Sequence, residues 1–323
     1  PEEAQRVLVP RGVLIPTDGR RVMPVPDTID QWTHFLYDAS GNAVSKDKEV
    51  ASPRSFRWYA PPKHLRSHNY SSSFTGLVSS GGRVFYILDE GTFLFDKGGT
   101  TEKFSLIARD AFNGALLWKK SLEGYGQPSY EDVSGQAVND FIWRSPLSMN
   151  RRMVAIGERV YAALKYRQSP LYVLDATTGE VIHEVKLGGV DEIIAEGDLI
   201  ICRARPEIPM PTEDMKGTKT RATIMRLEKE GFKDGKVEMR SKVMDRLRRH
   251  PNEIVAAVNA KTGKIVWQVD APLVGVQCLT MADGKVVYHN YEELIALDAA
   301  TGEEVWSYAS PAKRSVLPRN LLG

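Results

Sequence analysis

Ala296-Leu-Asp-Ala-Ala-Thr-Gly302-Glu-Glu-Val-Trp306 decides the fold, because the same eleven-residue pattern stands at three other places in the chain: Ala108 to Trp118, Val173 to His183 and Ala257 to Trp267. Each copy reads strand, tight turn, strand. The Asp or Asn at its third position (Asp110, Asp175, Asn259, Asp298) can accept hydrogen bonds from backbone N–H groups two residues on. Gly114, Gly179, Gly263 and Gly302 supply the left-handed backbone that closes the turn. Leu117, Val181, Ile265 and Val305 belong to a β-rich outer strand. The closing tryptophan, Trp118, Trp267 or Trp306, offers a wide flat ring with an N–H that needs a partner.

Upstream of each copy lie two further strand-like runs around a glycine turn, beginning at Gly76, Met153, Glu192 and Cys278. Two plus two strands make one four-stranded antiparallel sheet. Short strands in a pattern that recurs every ~40 to 50 residues are the mark of blades arranged about an axis. The turn glycines are 65, 84 and 39 residues apart, so the last interval is the bare repeat and the others carry insertions.

The composition agrees with a soluble, repetitive all-β protein of 323 residues. Hydrophobic residues make up 42% and charged residues 26%, and no apolar run approaches the roughly 18 residues of a membrane span. A net charge of +2 gives no bulk attraction for nucleic acid or an anionic membrane. Cys202 and Cys278 have no second Cys or His at metal-ligand spacing, which removes zinc and CxxC readings and predicts two buried strand residues.

The pattern A-x-D-x-x-T-G-x-x-x-W resembles the tryptophan-docking motif of PQQ-type (quinoprotein-dehydrogenase-like) β-propellers. That resemblance implies that Ala108, Gly114 and Trp118, then Gly179, then Ala257, Gly263 and Trp267, then Ala296, Gly302 and Trp306 interlock neighbouring blades. The second copy departs from it at Val173 and His183, which predicts a weaker contact there. Trp32-Thr-His-Phe-Leu-Tyr-Asp38-Ala-Ser-Gly-Asn42 resembles the lead-in of the same propellers, and Phe56 to Ala60 resembles the isolated outer strand that completes a last blade. His34 and His64, within or near the lead-in, are read as local hydrogen-bond anchors.

PQQ-type rings hold seven or eight blades. The four motifs therefore imply an incomplete ring, finished by further blades or by a second chain. Residues 30–323 are assigned to the partial propeller and residues 1–29 to an N-terminal extension. Within the latter, Arg6-Val-Leu-Val-Pro10-Arg-Gly-Val-Leu resembles a step near the end of class I methyltransferase domains, except for Arg11 where a glycine is usual. The extension is thus an ordinary strand or the remnant of an upstream domain, with no methyltransferase activity of its own.

Residues 206–252 interrupt the third blade between its second and third strands and are predicted to form a helical, basic insertion. Between Lys216 and Arg249 stand twelve Lys or Arg against five Asp or Glu, either a solvated cap or a docking arm for an acidic partner. Phe232 is the only aromatic residue among them, so stacking on single-stranded nucleic acid has little support.

Ligands of propellers bind at the axis, on the face formed by loops entering the inner strand and loops joining the second and third strands. These loops carry Arg66, His68, Asn69 and Tyr70, then Asp140, Trp143, Arg144 and Ser145, then His289, Asn290 and Tyr291, with Asp89 and Glu90 on the same rim. The set suits an anionic or hydroxyl-rich ligand. No GxSxG, HExxH or P-loop lysine is present. A PQQ dehydrogenase would show a vicinal Cys-Cys pair and Glu, Asn and Asp ligands for Ca²⁺; the pair is absent. The expected function is therefore a binding scaffold for a protein or saccharide, with no cofactor. The alternative is a PQQ- and Ca²⁺-dependent oxidoreductase acting on an alcohol or sugar. The resemblance also implies a periplasmic location.

Overall fold

The computed structural model describes residues 3, 8–52, 54–62, 74–91, 93–94, 99–100, 103–125, 149–165, 169–205, 253–271, 274–275, 277–290 and 293–309. A short hairpin, β1 (Val13–Leu14) and β2 (Arg21–Val22), precedes four four-stranded antiparallel sheets. Blade one is β3 (Phe74–Ser80), β4 (Arg83–Asp89), β7 (Phe104–Asp110) and β8 (Leu116–Ser121), with a small hairpin of β5 (Phe93–Leu94) and β6 (Gly99–Thr100) between its second and third strands. Blade two is β9 (Met153–Ile156), β10 (Arg159–Ala162), β11 (Leu171–Asp175) and β12 (Val181–Val185). Blade three is β13 (Gly189–Glu196), β14 (Leu199–Arg205), β15 (Ile254–Asn259) and β16 (Ile265–Asp270). Blade four is β17 (Thr280–Ala282), β18 (Lys285–His289), β19 (Glu293–Asp298) and β20 (Glu304–Ala309).

Each sheet runs from inner to outer strand in chain order, and β3, β9, β13 and β17 lie side by side in succession. They therefore line one axis. Three apolar cores lie between successive sheets: Phe85, Leu106 and Ala108 meet Ala155, Val160 and Leu174; Val154 and Val173 meet Ile193 and Ile200; Ile201, Val255 and Ala257 meet Met281, Val286 and Leu297. The stack is thus held by sheet faces, the arrangement that repetition about an axis requires.

The repeat folds identically four times. Asp110, Asp175, Asn259 and Asp298 each accept two backbone N–H bonds of 2.8 to 3.1 Å through Oδ1. The turn glycines adopt φ of 74°, 75°, 66° and 77°. In every copy the first motif residue pairs with the eleventh (Ala108 with Trp118, Val173 with His183, Ala257 with Trp267, Ala296 with Trp306), and a bulge follows directly. The bulge places one extra residue on the outer strand, which re-aims the side chains beyond it. That is how a strand beginning with exposed Ile265 and Val266 can turn Trp267 into a junction.

Several expectations need correction. Phe56 to Ala60 form no strand, and Phe56 is 94% exposed. Cys202 is a buried residue of β14 as expected, but Cys278 lies outside β17 and is only half-buried. Trp306 is 39% exposed and so is not buried at a junction. The helical insertion over 206–252 lies outside the described residues and gains no support, although β14 ends at Arg205 and β15 begins at Ile254, on either side of it.

Candidate functional site

Two constructions converge on the inner strands and between the blades. The first is a row of aromatic seats. Trp58 lies over the turn of blade one, Trp118 over that of blade two, His183 over that of blade three and Trp267 over that of blade four. A Cβ on Gly114, Gly179, Gly263 or Gly302 would come within 2.6 to 2.7 Å of the ring above it. Each ring also donates to a turn carbonyl: Trp58 Nε1 to Ala111 at 3.0 Å, Trp118 Nε1 to Ala176 at 2.9 Å and Trp267 Nε1 to Ala299 at 2.9 Å. His183 Nε2 reaches Lys261 O at 2.9 Å, one residue further along its turn than the indoles reach. Among the described residues no glycine turn lies against Trp306.

The N-terminal extension is attached to blade one. Arg11 has φ of 63°, the left-handed backbone that a glycine would adopt without strain. Its guanidinium donates to Gly82 O at 3.0 Å and Gly81 O at 3.3 Å. The departure from glycine thus anchors the hairpin.

The second construction is an axial strap. Trp32 O accepts from Ser79 N at 2.7 Å in blade one, Thr33 O from Ala155 N at 3.0 Å in blade two, and Ala39 O from Met281 N at 2.8 Å in blade four. Between them, His34 Nε2 accepts from Ala195 N of blade three at 3.0 Å. Inner strands have one unpaired edge, and the strap satisfies one amide on each. His34 therefore joins segments far apart in the chain, a longer reach than a local anchor. Burial is the main reason its imidazole is pushed down to about 4, with Arg151 adding to the effect and Asp38 opposing it.

Next to the strap lies a buried ionic clamp. Arg151 Nη1, at the entrance to blade two, bonds to Glu192 Oε1 of blade three at 2.5 Å and to Leu279 O of blade four at 3.1 Å. Leu279 N donates to the same Glu192 oxygen at 3.2 Å. Burial pushes the Glu192 carboxyl up, against the lowering pull of Arg151. Arg203 and Arg205 share Glu253 Oε1, each at 2.9 Å, at the base of the interrupted blade-three connection. Glu192 Oε2 and Glu253 Oε2 are buried without a hydrogen-bond partner among the described residues. Cys278 stands beside this group, and its thiol is pushed up by burial and by Glu192.

Of the candidate face, Arg66, His68, Asn69, Tyr70, Asp140, Trp143, Arg144, Ser145 and Tyr291 lie outside the described residues. His289 O accepts from Gly275 N at 2.7 Å, tying the end of β18 to the segment before β17, and Asn290 Oδ1 accepts from Glu293 N at 2.6 Å within the β18–β19 connection. Asp89 Oδ1 accepts from Gly91 N and Lys103 N, both at 2.8 Å, closing the base of the blade-one insertion. Glu90 pairs with Lys119. Among the described residues no three His, Cys, Asp or Glu side chains are grouped to hold a metal ion, and no helix is long and apolar enough to cross a membrane.

Residues 251–320 match the family described as "Outer membrane protein assembly factor BamB". No curated protein matches the chain. Among solved structures, BamB from Moraxella catarrhalis is 14% identical with a TM-score of 0.39, covering 73% of this chain and 50% of its own. A quinohemoprotein alcohol dehydrogenase from Pseudomonas putida is 12% identical with a TM-score of 0.46, over 86% of this chain and 40% of its own. The corresponding enzyme from Comamonas testosteroni is 12% identical with a TM-score of 0.42, over 86% and 41%. The chain thus spans half the length of the first and about two fifths of the others. The family match lies on blade four and the outer strands of blade three, and the same turn, bulge and aromatic position recur in all four sheets, so the chain is a run of four-stranded β-propeller blades.

Proposed function

We propose that this run of blades is a non-catalytic interaction scaffold, presenting a propeller face to a protein or saccharide. The carrying observation is that, among the described residues, His34 and Glu192 at the axis are committed to joining blades and Glu253 to holding blade three together. His34 accepts a backbone N–H, Glu192 ties Arg151 to Leu279, and Glu253 holds two guanidiniums. A general acid or base needs a free path to its substrate. The family match to an assembly factor supports protein binding, and an extracytoplasmic, periplasmic setting is proposed with it.

Blade four is proposed to receive a further blade, from the same protein or from a second chain. Trp58 already fills the seat of blade one, so Trp306 needs another seat.

The second reading is a PQQ-dependent oxidation of an alcohol or sugar with Ca²⁺. The described axial residues do not fit Ca²⁺: the Glu192 carboxylate is bridged to Arg151, and Arg203 is paired across the strands with Glu192. Two guanidiniums next to this buried carboxylate oppose a divalent cation. Titration of the protein with PQQ and Ca²⁺ separates the readings. The scaffold reading expects unchanged quinone absorbance and no dye-linked alcohol oxidation; a saturable absorbance change with turnover replaces it by the oxidoreductase.

A further inference from the structure

The contact between the strap and blade three differs from its other three. Blades one, two and four are held through backbone carbonyls of Trp32, Thr33 and Ala39, which accept hydrogen bonds at any pH. Blade three is held by the imidazole of His34, which accepts only while Nε2 carries no proton. We propose that residues 31–41 form an acid-sensitive axial strap whose latch is neutral His34 on the inner strand of blade three.

The hydrogen-bond network assigns the tautomer. Because Nε2 accepts from Ala195 N, the proton of the neutral ring lies on Nδ1, which donates to Thr33 Oγ1 at 2.7 Å. Thr33 Oγ1 in turn donates to Tyr37 O at 3.1 Å, and His34 N donates to the same carbonyl at 3.1 Å. The strap is thereby folded back on itself around the ring. A second proton would put an N–H at Nε2, directly facing the Ala195 N–H. Two donors then oppose each other in a buried position, and the contact is lost.

The charged groups around the ring fix the direction. Asp38 on the strap favours the imidazolium, while Arg151 from blade two opposes it, and burial outweighs both. On the same inner strand as Ala195, the buried carboxylate Glu192 is committed to Arg151. Glu192 also takes up a proton more readily than an ordinary glutamate, but its protonation loosens the clamp between blades and not the strap.

A strap that has left blade three returns His34 to water, where the imidazole titrates near 6.5, compared with about 4 in place. Opening of this contact should therefore rise about twentyfold from pH 7 to 5 and about a hundredfold by pH 4. The carbonyl contacts have no such dependence, so release is confined to the contact with blade three.

The test is amide hydrogen exchange from pH 7 to 4, corrected for the intrinsic pH dependence of exchange and read at Ala195 and at the amides of β14 and β15. The expected result is loss of Ala195 protection by about the factors above while β14 and β15 keep theirs. His34→Gln, whose side-chain carbonyl accepts without titrating, should flatten the dependence, and Glu192→Gln should leave it in place. Constant Ala195 protection down to pH 4, or loss in step with β14, overturns the proposal. The wild-type measurement decides this even if a variant fails to fold.

Discussion

Trp267 and Trp306 end the same eleven-residue motif, each paired across its sheet with an alanine and each set by the same bulge, yet one is buried to 9% exposure and the other stands at 39%. The difference lies outside both motifs. Trp267 has the turn of blade four beneath it, with Gly302 against the ring and Ala299 O receiving its N–H. Trp306 has no such turn among the described residues. A repeat therefore specifies half of each junction, and the neighbouring blade specifies the rest.

The largest effect should come from emptying the filled seat. Trp267→Ala removes a buried indole from the core that joins blades three and four and leaves Ala299 O unpaired, an expected loss of about 3 to 5 kcal/mol in a chemical denaturation series. A loss under about 1 kcal/mol would mean that the blades are held by their sheet faces alone.

Acid should act nearly as strongly, through the strap. His34 is held down to about 4 when folded, against 6.5 when unfolded, so the unfolded chain binds more protons between those values. Stability is then retained above about pH 6.5 and falls as pH drops toward 4, by about 3 kcal/mol for this group. The comparison to make is wild type against His34→Gln at pH 7 and pH 4.5, where the difference should change with pH; a constant offset would assign the acid loss to other groups.

Glycine substitutions separate backbone strain from seat occupancy within blade four. Gly302 (φ 77°) and Gly284 (φ 69°) both have left-handed backbone, but an added Cβ lies 2.6 Å from the Trp267 ring at Gly302 and meets nothing within 4 Å at Gly284. Gly284→Ala should cost about 1 kcal/mol from φ alone. Gly302→Ala should cost about 2 to 3 kcal/mol, because the indole must also shift. Equal costs would mean that the ring is not tightly seated.

The fold was legible because its signals are local. Asp298 to Gly302 carries the turn within five residues, and Ala296 to Trp306 carries the strand pair within eleven. The strap was not legible in this way. Its contacts join His34 to Ala195 and Ala39 to Met281, and nothing in the spacing of those residues announces a partner. The Arg151–Glu192 clamp was missed for the same reason, since neither residue lies in a motif. One signal was available: a glutamate within an apolar inner-strand run, Glu192 before Ile193-Ile-Ala195, requires a buried cation near it. The candidate face was drawn from loops, most of which lie outside the described residues; in the described part, Asn290 and Asp89 close their own turns.

The smallest effect is expected at the open seat. Trp306 rests on Ala296 but has no turn beneath it among the described residues, so Trp306→Ala forfeits only the burial of a partly exposed ring, about 1 kcal/mol or less in the isolated chain. The same face also carries Leu294, at 37% exposure, and Tyr308, at 61%, which are paired with each other across β19 and β20. Its counterpart in blade three, with Val255 opposite Val269 and Ala257 opposite Trp267, is covered by blade four. If a further blade covers this face in the assembled protein, Trp306→Ala should cost as much there as Trp267→Ala does, because the indole would then fill a glycine seat of the same kind. The measurement is the pair of substitutions made in the chain alone and in the assembled protein. Equal and small effects of Trp306→Ala in both settings would show that this face stays open and that blade four ends the stack.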